Sequence, residues 1–477
     1  MLFNSYQFIL IFLPIVLTVY FLLNKFRLIT LSAIWLVIAS LYFYASWNIK
    51  FLWILIFSIL FNFAEGQILS GKIEWRVNKK VVLALGIIIN ILCLGYFKYT
   101  NFLIENINEF LNLHFNYMHI IMPLAISIFT FQQIAYLVDV YKQKVKQPDF
   151  LTYMLFITFF PRLMQGPITR GEEMLPQFLS LRTKIINWKN LSLGLFLFSA
   201  GLFKKVVFAD MLSKWAVMGL GQIDNLTFLE SWITVLSYTF QIYFDFSGYT
   251  DMALGIGLMF NINIPRNFNN PYIATDIQDF WRRWHITLSR CLKDYLYIPL
   301  GGNRKGNIRT YFNIFCVFFV CGLWHGANRT YIIWGIMHGA ASIINRLYKL
   351  LNIEMPKFAA WLITFVFINF GWIYFSAPNI ASANKLLLSC LNIMNIDLPR
   401  IYGLEMRFRE SGHSWEIYPL IVIPVMIFFI FNNFFRDKLT NFQPKTIYSV
   451  YIVLMLLASF YNIVKPDYSS TFIYFQF

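Results

Sequence analysis

Apolar runs of about 17 to 22 residues recur from one end of the chain to the other, and a helix of that length, rising about 1.5 Å per residue, bridges a hydrocarbon core of about 30 Å. The pattern predicts an all-α polytopic membrane protein with about twelve hydrophobic helices, some of which fall short of a full crossing. Spans are expected at residues 7–23, 28–46, 51–69, 81–97, 119–141, 191–218, 229–246, 308–324, 331–348, 359–375, 417–431 and 447–464. The run at 191–218 is interrupted by Lys204 and Lys205. The first run has no basic stretch before it and no small-x-small cleavage site after it, so it is expected to be retained as a span.

Residues 150–164 form a shorter run of 15 residues, with Arg162 near its end and Arg170, Arg182, Lys184 and Lys189 after it. At about 1.5 Å per residue it reaches roughly 22 Å, which is short of a crossing, and a re-entrant or interfacial segment fits better. Irregular backbone at membrane depth survives only inside protein or beside a water-filled cavity, which points to a site in the middle of the fold. No repeat, low-complexity tract or linker separates a second domain, so residues 1–477 are expected to form one domain, with a polar, aqueous loop near 395–416.

The composition agrees with this pattern: 58% of the 477 residues are apolar and 13% charged, about half the usual charged share of a soluble domain. The net charge of +16, from 39 Lys+Arg against 23 Asp+Glu, lies in the short loops. There it sets topology against an anionic inner leaflet, so no nucleic-acid partner is expected. Lys25 and Arg27, then Lys72, Arg76, Lys79 and Lys80, then Lys142, Lys144 and Lys146 place the loops near 26, 75 and 145 in the cytoplasm and the N-terminus outside. Arg162 to Lys189 join them if 150–164 does not cross. Five cysteines without CxxC or neighbouring ligand histidines indicate neither disulfides nor a metal site.

One polar island, residues 241–338, breaks the apolar pattern. Asp245, Ser247, Tyr249 and Asp251 follow directly on an apolar run, where a charge must be paired or wetted. Two readings stand: a structural polar knot, with the carboxylates bonded to arginines such as Arg282 and Arg283, or a direct part in a site. Trp281, Arg282, Arg283, Trp284 and His285 interleave rings and cations as an in-plane helix at headgroup depth does, although anchoring needs no imidazole and the arginines would equally suit an anionic substrate. His325 lies in Trp324-His325-Gly326-Ala327-Asn328, between two apolar runs, and His338 lies 13 residues later. At about 100° per residue that separation turns His338 to a different face. An ionisable residue inside a membrane is a functional candidate by default, which singles out His325 and His285, with His338 behind them. The other histidines, His114, His119 and His413, fall near loops and are incidental. No GxSxG elbow, P-loop, HExxH or dinucleotide fingerprint is present.

With these motifs in place the sequence resembles the membrane-bound O-acyltransferase family, in its bacterial branch of alginate and peptidoglycan O-acetyltransferase membrane subunits. The matching stretches are MLFNSYQFILIFLP at 1–14, PLAISIFTFQQIAYLVDVY at 123–141, FPRLMQGPITR at 160–170, GLFKKVVFAD at 201–210, and those at 243–251, 280–302 and 322–339. The core motifs occupy about 120–340, and the likeness is weak over the C-terminal helices of 351–477. The resemblance implies a helical shell around a central tunnel, with His325 the catalytic histidine and His285 a second imidazole of the tunnel. Asp245, Asp251, Trp324, Asn328 and His338 would support them. It further implies an acetyltransferase of the bacterial cytoplasmic (inner) membrane that moves an acetyl group from a cytoplasmic thioester, acetyl-CoA, toward a cell-envelope polysaccharide such as peptidoglycan or alginate. A separate extracytoplasmic acetyltransferase or acyl-acceptor protein would be its partner, and no metal is required. The basic stretch from Arg162 to Lys189 would then suit the phosphates of coenzyme A or an acidic carrier protein, or else simply fix orientation. Two alternatives stay open: D-alanyl transfer to teichoic acid by the same family, and a non-catalytic acyl-donor or lipid transporter.

Overall fold

The computed structural model describes residues 1–74, 76–395, 442–465 and 472–473. Their regular secondary structure is helical, with no strand among the described residues. Among the described residues seven helices are long and apolar enough to cross a membrane: Gln7–Lys25, Ile49–Ser70, Lys79–Leu111, Trp188–Leu220, Asn307–His325, Lys357–Ser376 and Thr446–Ile463. The span expected at 417–431, the polar loop near 395–416 and His413 lie outside the described residues.

Several boundaries differ from the hydropathy reading, each for a local reason. The run expected at 81–97 is a 33-residue helix, Lys79–Leu111, which carries Lys98, Glu105 and Glu109 on helical turns instead of in a loop. Asn78 caps its start by accepting from the Lys80 N–H, and Asn112 ends it in the left-handed conformation. The span expected from 119 begins only at Ile126. Residues 150–164 divide into Phe150–Thr158 and Phe160–Leu163 at a break on Phe159, and neither piece is long enough to cross. The interruption at Lys204 and Lys205 is a π-helical stretch, Lys204–Ala209, inside otherwise α-helical chain. The helix expected at 229–246 continues to Met259, into the polar island.

The chain forms two compact units, which the family-like motifs run through. The first comprises Met1–Leu202, Tyr249–Arg266 and Gln443–Leu457. Its core is aromatic, with Phe8, Phe12, Phe43 and Phe160 in mutual ring contact and Tyr249 stacked 4.9 Å from Phe3. Polar side chains inside it are paired across helices: the amides of Asn62 and Asn90 bond each other, at 2.7 Å in one direction, and Tyr153 donates to Gln133. Such pairing is what makes amides affordable between membrane helices. Arg162 is 2% exposed and lies with its guanidinium 4.8 Å over the Phe156 ring, whereas Arg182 is exposed.

The second unit comprises Phe203–Gly248, Asn267–Phe442 and Ala458–Phe477. It holds the short helices Ile277–Arg283 and Ile286–Leu292 and the helices Asn307–His325, Arg329–Leu350 and Lys357–Ser376. All three candidate histidines belong to it.

Candidate active site

Asn307–His325 and Arg329–Leu350 form an antiparallel hairpin whose backbones touch through glycines. A Cβ at Gly322 would lie 2.3 Å from the Tyr331 carbonyl oxygen, and one at Gly335 would lie 2.4 Å from that of Phe318. Small residues allow membrane helices this approach. The first helix stops at His325 because the chain turns extended at Gly326, where a Cβ would meet the Tyr331 ring at 2.1 Å. Asn328 starts the second helix: its side chain accepts from the Thr330 N–H at 3.0 Å and donates to the Pro378 carbonyl at 3.0 Å. The stretch from Trp324 to Asn328 is therefore a corner, with Asn328 as its cap.

At that corner His338 does not turn to a different face from His325, as it would on one continuous helix: the chain reverses at Gly326 and returns along the first helix. Trp334 and His338, one turn apart, share the face turned to His325. The Trp334 ring lies 5.1 Å from His325 and 4.7 Å from His338. Trp324 likewise lies 4.9 Å from His325 and 5.8 Å from His285. The three imidazoles thus stand in one aromatic cluster, separated by two indoles and closed by Phe375 and Trp372. All three are at most 3% exposed, so a proton acceptor here works apart from bulk water.

His285 occupies a break between helices, with φ of 40° and ψ of 54° in the left-handed region that a bulky residue rarely adopts. The segment around Asn267 holds the break. The Ile286 N–H donates to the Asn267 carbonyl at 2.9 Å, the Thr287 hydroxyl to the Asn267 side chain at 2.6 Å, and the Asn269 N–H to the Arg283 carbonyl at 2.9 Å. Strain retained by so many bonds at a buried imidazole is the mark of a placed side chain. Burial lowers the His285 pKa from the ordinary histidine value, so at neutral pH the ring keeps one donor and one acceptor nitrogen. The preceding helix is capped by Asp276, which accepts from the Asp279 N–H at 2.7 Å and from the Lys349 ammonium at 2.9 Å. Burial pushes the Asp276 carboxyl up, but these two bonds outweigh it and hold the group below its usual value.

Asp245 is a knot, and its partner is not an arginine. Lys205 reaches Asp245 at 2.5 Å and Asp210 at 2.8 Å, with Lys205 and Asp245 each 2% exposed. The Ile473 N–H closes the second oxygen of Asp245 at 3.0 Å. Arg282 and Arg283 instead pair with Asp279 on their own helix, and Arg282 is 65% exposed. Asp251 belongs to the first unit. Among the described residues no three His, Cys, Asp or Glu side chains are grouped to hold a metal ion. Motif reading passed over Trp334, Phe375 and Gly371, which line the imidazole cluster together with Trp281. The spacing of Trp334 and His338 by one helical turn was the available signal.

The class of protein follows from comparison. Residues 2–383 match the membrane-bound O-acyltransferase family, and the chain belongs to that family: it is a multi-pass, membrane-bound acyltransferase. Among its relatives, a peptidoglycan O-acetyltransferase of Helicobacter pylori is 43% identical over 100% of this chain and 98% of its own. A probable alginate O-acetylase of Pseudomonas aeruginosa is 35% identical over 93% of this chain and 84% of its own. A teichoic acid D-alanyltransferase of Bacillus subtilis is 29% identical over 66% of this chain and 84% of its own.

Proposed function

We propose that this protein transfers an acetyl group from a cytoplasmic thioester, acetyl-CoA, across the bacterial inner membrane for O-acetylation of a cell-envelope polysaccharide. The observation that carries the reading is the burial of His325 at the hairpin corner, linked to His285 and His338 through shared indoles. The end-to-end similarity to a peptidoglycan O-acetyltransferase supports acetyl as the group and an envelope glycan as its destination. A thioester is already activated, so the site must supply a base for the attacking hydroxyl and hold both reactants; a neutral imidazole does the first. His325 takes that role, and His285 orients the second reactant in a tunnel that joins a cytoplasmic donor side to an outer acceptor side. A separate extracytoplasmic acetyltransferase receives the group and delivers it to the glycan. D-alanyl transfer has weaker support, because the D-alanyltransferase relative aligns with 66% of the chain at 29% identity.

Purified protein in lipid vesicles, given acetyl-CoA and an acceptor, is expected to release free coenzyme A, and His325→Gln to reduce that release by about a hundred-fold or more. A folded His325→Gln protein that retains the full rate defeats the assignment. Movement of an acyl donor without any coenzyme A release would favour a transporter instead.

The donor side is assigned to the basic loops. Residues 150–164 return to the cytoplasm in this reading, so Arg162, Lys184 and Lys189 share a side with Lys79. Single cysteines replacing Ser180 and Lys79, in a background without the native cysteines, are expected to be protected together from an impermeant thiol reagent applied outside intact cells. Labelling at Ser180→Cys with protection at Lys79→Cys would place the donor side wrongly.

A further inference from the structure

Of the buried N–H groups in the imidazole cluster, two lie against the same glycine. Trp281 fixes the first. An indole nitrogen can only donate, and that of Trp281 lies 3.2 Å from His338 Nδ1. Nδ1 is therefore the acceptor, and the proton of the neutral ring sits on Nε2. Neither His338 Nε2 nor Trp334 Nε1 meets a hydrogen-bond partner, although His338 is 1% exposed and Trp334 0%. A native interior seldom leaves two such donors unanswered side by side.

Their convergence is read from Gly371, on the neighbouring helix Lys357–Ser376. A Cβ built there would lie 3.0 Å from His338 Nε2 and 3.6 Å from Trp334 Nε1. Gly371 has no positive φ that would demand glycine; a side chain there would press on His338 Nε2 and cover both donors. The same Trp334 ring lies 5.1 Å from His325. Two preorganised donors beside a base, in a water-poor site, have the geometry that stabilises charge developing on an acyl oxygen.

We propose that Trp334 Nε1–H and His338 Nε2–H form an oxyanion-binding pair that takes the carbonyl oxygen of the acyl group, with Gly371 keeping the space beside them open. The inference deepens the acyl-transfer reading above and rests on it. As the acceptor hydroxyl attacks the thioester carbon, its proton passes to His325 and a C–O bond forms. The carbonyl π pair moves onto the oxygen held by the two N–H groups. Collapse re-forms the carbonyl and breaks the C–S bond, and the thiolate takes the proton back from His325. The two donors accept and lose no proton.

Trp334→Phe keeps a ring and removes one donor; His338→Leu removes the other. Each is expected to lower kcat by about a hundred- to a thousand-fold, with KM for acetyl-CoA within about threefold of wild type. His338→Gln, whose amide N–H reaches the place of Nε2, should recover part of the loss. Gly371→Ala should depress kcat without unfolding the protein, because its methyl group covers both donors. An independent readout needs no turnover: the carbonyl stretch of a bound acetyl-CoA analogue with methylene in place of sulfur. Wild type should shift this band to lower frequency, and Trp334→Phe and His338→Leu should each reverse part of the shift. An identical frequency in all three proteins overturns the proposal and leaves the donors to an ordered water. So does a Trp334→Phe protein with wild-type kcat. His325→Gln separates the two claims: it should lose transfer yet keep the carbonyl shift, and full activity in that variant would count against the base assignment alone.

Discussion

Lys205→Met is expected to destabilise the protein by about 3 to 5 kcal/mol, the effect of stripping one partner from a buried ion pair. Lys205 stands 2.5 Å from Asp245 and 2.8 Å from Asp210, and its removal leaves two carboxylates facing each other, one of them 2% exposed. The π turn creates this arrangement: the Asp210 N–H bonds the Lys205 carbonyl five residues back, which brings the two side chains to one face, where an α-helix would splay them. Asp245 comes from a different helix and adds the contact that holds the turn to its neighbour. Thermal unfolding followed by tryptophan fluorescence in detergent would show the loss. Lys205→Met combined with Asp245→Leu should recover most of it, since an apolar pair of similar volume suits such a site. An unchanged midpoint in Lys205→Met would mean that the ions are wetted and weakly coupled.

Gly335→Leu is expected to abolish acyl transfer and to reduce the yield of folded protein sharply. The added carbon meets the Phe318 carbonyl oxygen at 2.4 Å, and a backbone atom has no rotamer by which to withdraw. The hairpin must open, and with it the placement of Trp334 between His325 and His338. Gly322→Leu should behave alike, with 2.3 Å to the Tyr331 carbonyl. Gly339→Ala is the graded case, because its Cβ would lie 3.3 Å from the Phe318 Cβ, a contact that a small shift relieves. Gly95→Ala, with nothing within 4 Å, should be neutral or raise the midpoint slightly through helix propensity. Wild-type transfer in Gly335→Leu would show that the corner does not depend on this crossing.

Helices that present apolar side chains to lipid were legible from hydropathy almost to the residue. The run at 308–324 is the helix Asn307–His325, and that at 359–375 is Lys357–Ser376. Where helices carry polar groups the reading stopped early. Residues 98–111 and 247–259 continue their helices because a turn of helix satisfies its own backbone whatever its side chains do. His325 and His285 were legible because an imidazole in an apolar setting needs a reason. Gly371 was not, since a glycine within an apolar run has no signal of its own.

By itself, then, the sequence determined an all-helical membrane protein, the positions of the lipid-facing helices, and the motifs of Trp324 to Asn328 and Trp281 to His285. These rest on local properties: transfer of apolar side chains to hydrocarbon adds residue by residue along a helix. Only the tertiary structure decided that Asp245 pairs with Lys205 and not with an arginine, that His338 returns to His325, and that two N–H groups converge on Gly371. Such contacts join residues tens of positions apart. They depend on how closely two backbones approach and where a helix is broken, and neither quantity has a period or a composition to be read along the chain.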